Sequence, residues 1–128
     1  MSELQIPPPT DLKHHRRSRE LTVRFADGMN ARLSAEFLRV HSPSAEVKGH
    51  SGGEGMLVTG KEAVGIAAIE PVGRYAVRIV FDDGHNTGLY TWTVLYELCS
   101  EHDRKWQRYL ERLAQAGKAR HPEPKWAE

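Results

Sequence analysis

The chain predicts an α+β fold: a small antiparallel β-sheet made of hairpins, packed with a short helix and one long C-terminal α-helix. Three observations carry this. Leu21, Val23 and Phe25 alternate with Thr22 and Arg24, the period-two mark of a half-buried strand. Residues 75–81 (YAVRIVF) form the strongest strand pattern, which predicts a central strand. From Trp92 onward the apolar period becomes helical. Strands first and a helix last indicate α+β.

Residues 1–18 read as a polar tail, with Pro7, Pro8 and Pro9 in a row and then the basic run His14-His15-Arg16-Arg17. A single domain is expected over residues 19–117. Asp27-Gly28 is a turn dipeptide, and Ala31 and Leu33 resume the alternation, so residues 20–33 predict a hairpin. Ser34 is placed to cap a helical turn that directs Phe37 and Leu38 to the core. Residues 41–55 form a long loop carrying Pro43, Gly49, Gly52, Gly53 and Gly55. Short strands are expected at residues 56–58 and 64–69, then a turn at Pro71-Val72-Gly73. A second tight turn covers residues 82–86, and residues 87–92 return as a strand. Leu95, Leu98 and Cys99 share one helix face, which Trp106, Tyr109, Leu110 and Leu113 continue. Ala116-Gly117 is a stop signal. Residues 118–128 read as a second tail.

Composition narrows the function classes. The 128 residues carry a formal charge of +1, too balanced for the basic excess of a nucleic-acid binder. No segment approaches the roughly 18 apolar residues of a membrane span. Residues 1–11 have no apolar run, so no signal peptide is expected. Cys99 is the only cysteine, which fits a reducing, cytoplasmic location and excludes an internal disulfide or a four-cysteine zinc site.

Few motifs carry chemistry. Residues 55–61 match the glycine-x4-Gly-Lys half of a phosphate loop, but Glu62 stands where a Mg²⁺-binding hydroxyl is needed. Strand pattern follows instead of the helix whose N-terminus would face phosphate, so Gly60-Lys61 is read as a turn. No Gly-x-Ser-x-Gly elbow exists, and Cys99 falls on the apolar helix face as a small core residue. His41, His50 and His85 lie in loops near Glu46, Asp82 and Asp83 and are candidate metal ligands, although none has fixed ligand spacing. Tyr90, Trp92 and Trp106 either line a pocket or close the core. Arg39 and Lys48 are candidate anion contacts.

Residues 35–40 (AEFLRV), 42–47 (SPSAEV) and Gly49-His50 resemble the small bacterial domain named for the N-terminal segment of gamma-butyrobetaine hydroxylase. Residues 69–77 and 81–92 (FDDGHNTGLYTW) resemble later blocks of the same family, and the likeness spans residues 9–113. The resemblance implies a fold and an accessory habit. Such domains precede Fe(II)/2-oxoglutarate dioxygenases, and a related one follows a P-loop iron–sulfur carrier in plastids. The dioxygenase versions hold a structural zinc with three cysteines and one histidine. Those cysteine positions fall on Ser42, Ser44 and Val47, leaving only His85, so no zinc cofactor is expected. The dioxygenase catalytic domain is absent too, since no histidine has Asp two residues on.

These readings converge on a non-enzymatic binding or adaptor domain with a protein partner. Its expected surface comprises Arg39, Glu46, His50, Asp83, His85, Tyr90 and Trp92. The alternative is a metal-handling or iron–sulfur-assembly accessory using His85 and His50; one cysteine cannot hold a cluster within a monomer. A third reading is an enzyme with His85 as base, Asp83 as its orienting partner and Tyr90 nearby.

Overall fold

The computed structural model describes residues 6–43, 57–86 and 88–121. The α+β class holds, with two three-stranded antiparallel sheets in place of one. The first sheet contains β1 (Asp11–His15), β2 (Glu20–Arg24) and β3 (Asn30–Ser34), in that order. Helix α1 (Ala35–Val40) follows directly. The second sheet contains β4 (Ile66–Val72), β5 (Ala76–Phe81) and β6 (Leu89–Thr91), with β5 central. Helices α2 (Trp92–Ser100) and α3 (His102–Ala116) complete the chain.

The β2–β3 hairpin follows from its residues. Leu21 pairs with Leu33 and Val23 with Ala31, which puts Leu21, Val23 and Leu33 on the buried face. The turn needs Gly28, whose φ is +96°, and the Asp27 carboxylate accepts the Met29 amide at 2.9 Å. Ser34 caps α1, its Oγ accepting the Phe37 amide at 3.0 Å. Thr91 caps α2 in the same way, accepting from Val94 at 3.2 Å. The main core joins Leu21, Val23, Leu33, Phe37, Leu38, Ile79, Phe81, Tyr90 and Leu95. A smaller cluster joins Val40, Tyr109 and Leu113. Cys99 packs at the edge of the main core, where burial pushes its thiol up to about 11.

Several elements differ from expectation. Residues 11–15, expected within the tail, form the edge strand β1, registered so that Leu12 faces Val23. Its side chains are mostly polar; the strand exists because the open edge of β2 offers backbone partners. Leu57 and Val58 lie in no regular element, and Met56 falls outside the described residues. Pro71 and Val72 belong to β4, where proline is tolerated because β4 is an edge strand. The returning strand shortens to Leu89–Thr91, because Trp92 already begins α2.

The helical region divides at Glu101 (φ −114°, ψ 21°). Leu95, Leu98 and Cys99 of α2 pack into the main core, whereas Tyr109 and Leu113 of α3 pack on Val40. The break lets two apolar stretches of one phase meet two different clusters. Beyond α3, residues 118–121 fold back: the amides of Gly60 and Glu62 donate to the carbonyls of Ala119 and Arg120. No helix among the described residues is long and apolar enough to cross a membrane.

Candidate functional site

The end of α1 and the turn between β5 and β6 meet at one corner. Phe81 and the turn after it set the geometry: the Gly84 amide donates to the Phe81 carbonyl, and the Phe81 amide donates to the His85 carbonyl at 2.9 Å. Asp82 leaves the turn on one side and accepts the Gly65 amide at 3.0 Å. Asp83 faces α1. Its Oδ2 accepts from Arg39 Nε at 2.9 Å and from Lys61 Nζ at 2.6 Å, while Oδ1 accepts the His85 amide at 3.1 Å. The His85 imidazole Nε2 hydrogen-bonds Ser42 Oγ at 3.0 Å.

The electrostatics follow from this crowding. Burial pushes the Asp83 carboxyl up, but hydrogen bonds from Lys61, the His85 amide and Arg39 outweigh it and hold it at about 2. Burial and then the Arg39 charge lower the His85 imidazole. Two cations converge on one carboxylate. The Arg39 side chain is only 12% exposed, and its Nη1 is buried without a hydrogen-bond partner among the described residues.

Beneath the corner, packing is tight. A side chain at Gly88 would overlap Ser42 Oγ and approach the Tyr90 ring to 3.2 Å. Gly88→Ala is therefore expected to destabilise the protein by about 1–3 kcal/mol in urea unfolding. Adding Ser42→Ala should restore much of that loss, because the shortest contact is with the Ser42 hydroxyl. Additive penalties in the double variant would refute this account.

The structure separates the expected site residues. Arg39, Asp83 and His85 come together at one corner. Tyr90 does not reach the surface: it is 0% exposed, and its hydroxyl donates to the Leu38 carbonyl at 2.5 Å. Trp92 sits at the opposite end of β5, its indole donating to the Arg74 carbonyl at 2.7 Å. Glu46 and His50, with Ser44, Val47 and Lys48, lie outside the described residues. Asp83 accepts the backbone amide of His85 and not its ring, so the expected base-and-orienter pair braces the hairpin turn instead.

His41 is half-buried, its Nδ1 hydrogen-bonding the Phe37 carbonyl at 2.9 Å, and burial lowers it to about 4. Trp106 packs at the margin of both clusters. Lys61 was missed as a site residue. It stands 22 positions from Asp83, and nothing local in the sequence marks the pairing.

Among the described residues no group of three His, Cys, Asp or Glu side chains could hold an ion.

A family model described as "Gamma-butyrobetaine hydroxylase-like, N-terminal" matches residues 12–96. Two NMR solution structures share 46% identity with this chain at a TM-score of 0.80. One alignment covers 96% of this chain and 97% of the other, the second 100% and 96%. A crystal structure of a protein with unknown function from Acidithiobacillus ferrooxidans, of the DUF971 family, is 42% identical with a TM-score of 0.60. That match covers 73% of this chain and 93% of the other. No curated protein matches the chain.

Proposed function

Since the chain belongs to the gamma-butyrobetaine hydroxylase-like N-terminal family, we propose that it works as a binding or adaptor domain, not as a catalyst. One observation carries this reading. Arg39 and Lys61 share the single carboxylate of Asp83. Two cations against one carboxylate leave the corner with an excess of positive charge, which an acidic group on a docked partner would complement. The corner has cations, a fixed carboxylate and an imidazole on a serine. The Ser42 hydroxyl does meet the His85 imidazole at 3.0 Å, but Ser42 is fully buried, out of reach of a substrate, and Asp83 accepts the His85 backbone amide. The partner in this proposal is a protein, and the setting is the cytoplasm of a bacterium, which suits a chain whose one thiol is buried.

The test is affinity capture from native cells with the wild type and with Arg39→Glu, after checking that their thermal midpoints agree. A defined polypeptide held by the wild type and lost from the variant is the expected result. Equal recovery from both, or turnover of a metabolite by the pure protein, would overturn the proposal.

A further inference from the structure

The basic run His14-His15-Arg16-Arg17, expected in a tail, is ordered as part of the first sheet. Residues 13–19 (KHHRRSR) carry four formal positive charges and no carboxylate, in a chain whose total is only +1, so the remaining residues are net acidic. Lys13 lies exposed in β1, and Arg16, Arg17 and Arg19 stand in the exposed turn into β2. Among the described residues these four cations meet no carboxylate. By contrast, Arg32 pairs with Glu20 at 2.7 Å and Arg120 with Glu36 at 2.8 Å. Arg19 is also the one described non-glycine residue at positive φ, +57°. The turn keeps an arginine where glycine would fit the backbone more readily.

The same segment presents an open sheet edge. The Ala35 amide donates to the Arg19 carbonyl and the Phe25 amide to the Met29 carbonyl. Alternation along β2 then turns the backbone groups of its odd-numbered residues to β3 and those of its even-numbered residues to β1. By the register of β1, Asp11, Lys13 and His15 bond to β2, and Leu12 and His14 direct their backbone groups away from it. β1 is the end strand of its sheet, and among the described residues nothing pairs with its outer edge.

A row of free backbone donors and acceptors is completed by another polypeptide strand, whereas a phosphate backbone has no donor to match it. Charge selects which strand. Edge cations ordinarily guard against indiscriminate pairing. Here they share one sign, which repels a basic segment and attracts an acidic one. The guanidinium forks of the turn suit carboxylates. A second copy of this chain would instead bring four more cations to the same edge.

We propose that the outer edge of β1 takes up an extended acidic segment of a partner protein as a fourth strand, its carboxylates lying beside Lys13 and the turn at residues 16–19. This goes beyond the adaptor reading at the Asp83 corner and uses none of its residues, so either can fail alone.

The probe is a synthetic peptide of alternating Glu and Val (EVEVEVE), titrated into the full chain and followed by amide NMR and hydrogen exchange. One control peptide has every amide N-methylated, which keeps the charge and removes the strand bonds. Another has Lys in place of Glu. A single-stranded oligothymidylate of equal charge supplies a polyanion without a peptide backbone. The wild type should bind the acidic peptide and neither control peptide, and exchange of the Leu12 and His14 amides should slow at least tenfold. Arg16→Glu combined with Arg17→Glu, both exposed in a turn, should weaken binding at least tenfold, while Arg39→Glu leaves it unchanged. The proposal is overturned if the wild type does not bind, or if the N-methylated peptide binds as tightly. Tighter binding of the oligonucleotide, or loss of binding in Arg39→Glu but not in the turn variant, would overturn it as well. Protection of the Leu12 and His14 amides in a peptide-free dimer would name a second copy as the occupant and overturn it equally.

Discussion

Phe37→Ala is expected to lower stability by about 3–5 kcal/mol, which would consume a large part of the roughly 5–15 kcal/mol typical of a domain. The ring is 0% exposed in the main core. It also forms the bridge between α1 and the C-terminal helices. Its centroid lies 4.5 Å from that of His41, 4.5 Å from that of His102 and 6.4 Å from that of Trp106. Truncation removes the buried area and leaves a cavity between rigid elements, a site poorly able to collapse. Urea unfolding should show a lower midpoint at an unchanged slope. A loss below about 1 kcal/mol would mean that α1 is not held through this ring.

Acidification from pH 7 to 4.5 should cost the wild type roughly 2–3 kcal/mol of stability, most of it through His41. Burial lowers this imidazole from 6.5 to about 4. The bond to the Phe37 carbonyl works against the shift, and Lys105, Arg112 and His102 add to it. Between those two values the unfolded chain binds the proton and the folded chain does not. Stability is therefore full above pH 6.5 and falls as pH drops toward 4. His85 and His14 are lowered as well, so His41→Gln should flatten the slope without abolishing it. Asp83, held at about 2 against an ordinary 3.8, loses its contribution only as pH falls below that window. Unfolding free energies at pH 7, 6, 5 and 4.5 would decide this. Equal slopes in wild type and variant would show that His41 is protonated without loss.

The candidate site was half legible. Arg39, Asp83 and His85 were picked out as polar residues in blocks resembling a known family, and they do meet. Tyr90 misled, because an aromatic residue beside a polar turn reads the same whether its hydroxyl finds solvent or, as here, the Leu38 carbonyl. Lys61 and Arg120 carried no signal. Each is one cation among 18 Lys and Arg residues, and its partner is far off in sequence.

The sequence by itself determined what depends on neighbours a few positions apart. The β2–β3 hairpin came from alternation around Asp27-Gly28, the cap of α1 from Ser34, the central strand β5 from its apolar run, and the burial of Cys99 from helical period. Only the tertiary structure decided the rest. It recruited the polar residues 11–15 as an edge strand, divided the strands into two sheets, broke the helix at Glu101, and brought Arg120 to Glu36. The reason is physical. Turns, caps and amphipathic faces are local and leave a period or a dipeptide in the chain. Strand partners and ion pairs are chosen by which backbone edges and charges the collapsed core leaves within a few ångströms, and no sequence period records that choice.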